Sequence, residues 1–442
     1  MARQPERLVE TIFKHLKAKG DTPRRVSSLF HPSPIPNSRA PEPSNQSSLP
    51  PTIQHHGALA QATSGSTIRA QQPLLAGYPA KRFPIGLDLG PASLKWVTIG
   101  LVNRQTTIVE LGCQPLSQRS TLPETPQDQL REALSRVVIQ HHLAGEVVCS
   151  LPLEDVNLQL LKMPVLPEAE LEQAIRWQIE PTLPSQVSYD DLVVDYVVLQ
   201  QSTGSLESRV LVASVPRQRV MAMVDLVQSV GLRPIAVEID PVALTAGLAW
   251  AHRFRPDQTA LVLHLGTSTA SLSVVVWEQL AFSRSLLTTD RSLTQALVDH
   301  LGVSGEEAEH LKRTYGLLGT PDASTPSPSV DTADQGSAVA RALASPLENL
   351  TVELLHAFKS FSHQVTQSQV QHFDQVYLSG EAAQLPGLIP WLEARLQVPV
   401  ELVNPFSFLP MQESIGSGPS WSQQAPQFAI AIGLALHEVP IR

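Results

Sequence analysis

Residues 261–276 read LVLHLGTSTASLSVVV. An apolar run leads to Leu265, a tight turn of small residues follows (Gly266, Thr267, Ser268, Thr269), and a second apolar run closes the stretch. That is the pattern of two buried strands joined by a short turn. Such a turn can cradle a phosphate through its backbone N–H groups and hydroxyls. The same order stands earlier in the chain, at 86–97, as GLDLGPASLKWV. The longer stretch TALVLHLGTSTASLSVVVWEQLAFSRSL (259–286) repeats the strand, turn, strand, strand order of 83–114. Two copies of one order predict a duplicated α/β architecture with a cleft between two lobes.

Working outward from the two turns, 127–142 (QDQLREALSRVVIQHH) reads as an amphipathic helix and EVVCSLP as the next strand. Residues 83–156 are therefore the first part of one lobe. The region 157–232 reads strand, helix, strand, strand, helix and is expected to be an inserted small α+β subdomain. Residues 233–258 return to the first lobe, and 259–442 form the second. The stretch PSPIPNSRAPEPSNQSSLPP within 21–82 shows no hydrophobic period and cannot bury enough apolar surface to offset its ordering entropy. It is expected to be a disordered linker, as are loops at about 317–337 and 413–427. Residues 1–20 hold RLVETIFKHLKAKG, with Leu8, Val9, Ile12, Phe13 and Leu16 at helical spacing. This is a basic amphipathic helix suited to peripheral contact with an anionic membrane or a partner.

Bulk composition narrows the class. The chain has 442 residues, enough for two or three domains, and carries a net charge of −9. Residues 1–25 have four more basic than acidic side chains, so the remainder stands at −13, which argues against a nucleic-acid binder. Two cysteines, Cys113 and Cys149, without CxxC spacing, argue against a disulfide framework or a zinc site and suit a reducing cytoplasm. The N-terminus shows no secretory signal pattern.

The residues able to carry chemistry gather at the turns. In the first, Asp88 could order a metal-bound water, Gly90 permits close backbone approach, and Lys95 could reach phosphate oxygens. In the second, Gly266, Thr267 and Thr269 offer the matching cradle, but His264 stands where a metal-ordering carboxylate is wanted. A neutral imidazole is a poor Mg²⁺ ligand. The bland alternative for His264 is a core histidine bonded to a backbone carbonyl.

Taken in order, GLDLGPASLK, LPLEDVNLQLLKMPVLPEAELEQAIRWQIEPTLP, VGLRPIAVEIDPVAL, VLHLGTSTASLSV, GVSGEEAEHLKRTYG, VYLSGEAAQLPGL and VPVELVNPF followed by FAIAIGLAL carry a resemblance. The chain resembles the actin-like ATPase superfold, and more narrowly the PilM-type proteins of type IV pilus assembly, related to FtsA. The resemblance covers about residues 83–438. It implies a two-lobe fold of duplicated RNase H-like mixed sheets, with the insert as the FtsA/PilM-type subdomain. For ATP and Mg²⁺ it implies a first phosphate turn at Asp88, Gly90, Ser93 and Lys95, with Asp88 on the metal. The second phosphate turn would be Gly266, Thr267 and Thr269. Glu309 and Lys312 would serve ribose and base, and Gly380 the adenosine turn. The alternative for Glu309 and Lys312 is a solvated i,i+3 ion pair. Three departures weaken catalysis: His264 for the usual acid, Pro91 for the usual Ser, and Glu381 in a turn that is usually glycine-rich.

What the resemblance implies for function is a cytoplasmic scaffold at the inner face of the inner membrane. Such a protein binds the N-terminal cytoplasmic tail of a PilN-type membrane protein and couples the inner-membrane platform to the pilus assembly ATPases. The groove for the tail would lie in the 150–240 region. Two alternatives stand beside it: an active actin-like ATPase, and a scaffold of related secretion or competence machinery on the same fold.

Overall fold

The computed structural model describes residues 81–116, 125–199, 207–318, 330–365, 372–412, 415 and 419–439. The basic helix of 1–20 and nearly all of the linker at 21–82 lie outside the described residues.

The first lobe opens with β1 (Lys81–Arg82), β2 (Ile85–Leu89), β3 (Ser93–Val102) and β4 (Gln105–Pro115), then α1 (Pro126–Gln140) and β5 (Glu146–Leu151). Thr125 caps α1 through its hydroxyl, and Pro126 takes the first helical position, where its missing N–H costs nothing. The insert follows as β6 (Asn157–Pro164), α2 (Glu168–Ile179), β7 (Leu192–Val198), β8 (Glu207–Pro216) and α3 (Arg217–Ser229). The chain returns through β9 (Arg233–Ile239) and α4 (Asp240–Trp250). The second lobe comprises β10 (Thr259–Leu265), β11 (Ala270–Val276), β12 (Gln279–Ser285), α5 (Asp290–Leu301), α6 (Gly305–Tyr315), α7 (Val330–Val365), β13 (Gln375–Ser379), α8 (Leu388–Leu396), β14 (Val400–Leu402), α9 (Pro419–Gln424) and α10 (Ala429–Ala435).

The duplication is explicit in the pairing. The first sheet runs β4-β3-β2-β5-β9, with β1 also on β3; the second runs β12-β11-β10-β13-β14. In both, the first three strands are antiparallel and the last two join in parallel. The insert makes its own three-stranded sheet, β6-β8-β7, all antiparallel.

Two apolar helices, α4 and α10, lie between the sheets. Ala243, Leu244 and Leu248 of α4 and Ala429, Ile430 and Leu434 of α10 share one core with Val148, Ala260 and Val262. They cross closely because the crossing residues lack side chains. A methyl group on Gly433 would overlap the Ala243 carbonyl, and one on Gly86 would overlap the Ala431 carbonyl. Residues 428–436 also complete the first lobe, packing Phe428, Ala431, Ile432, Ala435 and Leu436 against Phe83, Val97, Ile99 and Ile108.

The structure shortens two of the expected loops, whose residues 319–329, 413–414 and 416–418 lie outside the described residues. Helix α7 begins at Val330, inside the stretch 317–337 expected as disordered. Its buried residues Val339, Leu343, Leu347, Leu350, Leu354 and Phe361 recur at helical spacing, so tertiary burial outweighs Pro346 in its interior. Within 413–427, α9 and a 3₁₀ turn at Ala425–Phe428 are ordered, and Ala425 and Phe428 are fully buried.

Candidate functional site

The two turns face one another. Both line one small cavity, the first with Asp88, Gly90, Ser93 and Lys95, the second with His264, Gly266, Thr267 and Thr269. Their registers match. Asp88 pairs with Lys95 across β2 and β3, and His264 with Ser271 across β10 and β11. The duplication thus sets Asp88 against His264 and Lys95 against Ser271. The second turn is closed by Gly266 N–H to the Thr269 carbonyl at 2.9 Å. It also receives the start of α5: Asp290 and Arg291 donate their backbone N–H groups to the carbonyls of Gly266 and Thr267.

Glu381 follows β13 and reaches across from the second lobe. Its Oε1 lies 2.8 Å from Lys95 Nζ, and Asp88 Oδ2 lies 3.6 Å from the same ammonium. Only 6% of the Lys95 side chain and 17% of that of Glu381 are exposed. Burial pulls the Lys95 ammonium down, but Asp88 and Glu381 more than offset it and hold it above its ordinary value. Burial pushes Glu381 up, and Lys95 overcomes that to hold it below the usual carboxylate range. Asp88 is raised, chiefly by burial. Asp240, at the start of α4, is pushed up to about 8 by burial and by Asp88. At neutral pH the charge of Lys95 is therefore met by Glu381, and Asp240 is mostly protonated.

His264 is buried and neutral, its pKa lowered to about 4 by burial. The Ser379 hydroxyl donates to the Pro426 carbonyl at 3.0 Å and accepts from His264 Nδ1 at 3.3 Å. The expected backbone carbonyl is thus replaced by a serine hydroxyl, which stands opposite His264 in the parallel pairing of β10 with β13. Gly380, the next residue, has φ of 97°, and a methyl there would overlap the Leu265 carbonyl, so glycine is required.

Beyond Glu381 lies a second, larger cleft of about 420 Å³, lined by Asp290, Glu309, Lys312, Arg313, Gly380, Glu381 and residues of the 423–427 segment. Glu309 and Lys312 do meet here, but not as a solvated pair. Lys312 is buried and touches Asp290 Oδ1, Glu309 Oε2 and Thr294 Oγ1, each at 2.7 Å. Arg313 holds the other Glu309 oxygen at 2.7 Å. Sequence reading missed Asp290 and Asp240, and it placed Ser379 in the adenosine-type turn without pairing it to His264. Asp290 had a local signal, a Thr289 cap ahead of an apolar helical period.

The fit of a Mg-nucleotide can be tested against these residues. The cavity between the turns is about 40 Å³, against roughly 300–1,000 Å³ for typical ligand pockets. Lys95 is already neutralised by Glu381, and Lys312 by Asp290 and Glu309. A phosphate chain would meet the Glu381 and Asp88 carboxylates. Among the described residues no group of three His, Cys, Asp or Glu side chains is arranged to hold a metal ion. The larger cleft has room for a nucleoside; the phosphate cradle, as folded, does not admit a triphosphate with its metal.

Duplicated sheets, paired turns and two helices crossing between them define the actin-like class. The sequence signature of the type IV pilus assembly protein PilM matches residues 86–439, and the chain belongs to that family. A solved PilM–PilN type IV pilus biogenesis complex contains a chain 24% identical to this one, with a TM-score of 0.65, covering 81% of this chain and 98% of that one. The ethanolamine utilization protein EutJ from Carboxydothermus hydrogenoformans is 13% identical (TM-score 0.46), covering 82% and 91% of the two chains. MreB 5 of Spiroplasma citri bound to AMPPNP is 9% identical (TM-score 0.44), covering 82% and 97%.

Proposed function

We propose that this chain is a pilus-assembly scaffold that binds the cytoplasmic N-terminal tail of a PilN-type membrane protein and links the inner-membrane platform to the assembly ATPases. The observation that carries the reading is family membership across both lobes and the insert. The fold likeness to a chain solved with PilN supports it. The tail docks within 150–240, where the insert meets its neighbour. Trp177 and Val165 of the insert, 68% and 59% exposed, are apolar surface that such a segment can cover. Among the described residues no helix is long and apolar enough to cross a membrane. Attachment through the partner, aided by the basic segment 1–20 that the sequence spacing reads as amphipathic, fits the proposed role. The working place is the inner face of the inner membrane. Phosphoryl transfer, which rests on positioning and charge stabilisation, is disfavoured by neutral His264 and by Glu381 beside Lys95.

Titration of the purified chain with a synthetic PilN-type tail tests this. The expected result is saturable binding by calorimetry, with hydrogen-exchange protection inside 150–240. Protection confined to the second lobe would place the partner elsewhere and overturn the docking site. ATP turnover lost in Asp88→Ala would overturn the scaffold reading.

A further inference from the structure

The misfit of the phosphate cradle has a specific structural origin. Lys95 belongs to β3 of the first lobe, and Glu381 follows β13 of the second. Their 2.8 Å contact therefore crosses between lobes, on the wall separating the 40 Å³ cavity from the 420 Å³ cleft. The duplication provides a control, because Ser271 occupies the position in the second lobe that Lys95 occupies in the first. The cradle thus has a single cation, and its countercharge comes from the protein.

We propose that the Glu381 carboxylate is a built-in counter-anion that fastens the two lobes through Lys95 and bars a phosphate chain from the cradle, so that the lobes close without a nucleotide. A buried ammonium needs a partner in any stable arrangement. An incoming phosphate has to displace a carboxylate whose effective concentration is set by the fold, and it cannot remove that charge from the site. A nucleotide then has little differential affinity for the closed arrangement, and it cannot drive closure. The lock leaves the 420 Å³ cleft accessible to uncharged ligands of nucleoside size.

The full chain is used, with no partner tail, so failure of tail binding leaves this test untouched. Mg-ATP and inorganic pyrophosphate are titrated against the wild type and Glu381→Ala, with binding read by calorimetry and thermal shift. The wild type is expected to show no binding up to millimolar ligand, and Glu381→Ala a gain of at least tenfold. Equal binding by both proteins overturns the proposal. Absence of binding in both overturns the exclusion, since another element then bars the phosphate. To separate binding from loosening of the fold in Glu381→Ala, Lys95→Met, Glu381→Gln and the double variant are melted in parallel. A double variant no less stable than the worse single supports the lock, and additive losses overturn it. Spin labels on the two lobes complete the test. The expected result is one inter-lobe distance in the wild type, unchanged by ATP, that broadens in Glu381→Gln. A distance distribution identical in both proteins sinks the lock.

Discussion

The turn around Gly90 and the turn around Gly266 have the same length and the same register, and they face one cavity. Their chemistry has diverged. The first keeps an ionisable pair, Asp88 opposite Lys95; the second pairs neutral His264 with Ser271. Backbone hydrogen bonding fixed the shape of both, and it tolerates any side chain that points into the cavity. Charge had to balance over the cavity as a whole. The second lobe meets the Lys95 charge through Glu381, a residue outside its turn, and the turn itself can remain neutral.

The strongest way to break this balance is Lys95→Met, which leaves Glu381 and Asp88 buried without a cation. Denaturant unfolding should show a loss of about 3–5 kcal/mol. A loss under about 1 kcal/mol would mean the cluster is wetter than its burial implies. Next comes His264→Asp, which restores the acid to the second turn and adds a further carboxylate near Glu381. A loss of about 1–3 kcal/mol is expected, read in the same way.

The pH dependence sharpens the comparison further. Asp240, raised to about 8, binds a proton in the folded state that it releases when unfolded, so its contribution is lost as pH rises through 8. His264, lowered to about 4, acts in the opposite sense and costs stability as pH falls below its ordinary value of 6.5. Between about 4 and 6.5 the two slopes oppose; from 6.5 to 8 that of Asp240 stands alone. Stability should fall there by at most about 1.4 kcal/mol per pH unit. Asp240→Asn should remove that part of the slope, and an unchanged profile would assign it to other groups. The smallest effect belongs to Ser271→Ala, at about 1 kcal/mol or less. A loss matching that of Lys95→Met would erase the distinction between the turns.

Both turns, the duplication and the family were legible in the sequence, because each rests on local patterns: apolar strands running into the small-residue turns at GLDLG and LHLGT, and the ordered motifs that follow them. Local patterns also exposed His264 as the odd residue. What the sequence could not show was which carboxylate meets Lys95, since Glu381 lies far along the chain and nothing near it names a partner. The same holds for Asp290 against Lys312 and for Ser379 against His264. Helix α7 did have a readable apolar period from Val339 to Phe361. It was obscured at its start by a Ser/Pro/Asp-rich approach and by Pro346, both of which argue locally against a helix.

The position of α10 has a consequence for how the molecule is made. Translation delivers β2 and β3 before the second lobe, yet the apolar face around Val97, Ile99 and Ile108 is covered by Phe428, Ile432 and Leu436, which follow Ile108 by about 320 residues or more. Growing at roughly 5–20 residues per second, a nascent chain holds that face uncovered for tens of seconds. The first lobe is thus synthesised before the second and sealed after it. A chain cut just before α10 would lose the cover of the first lobe, the one it had already completed making.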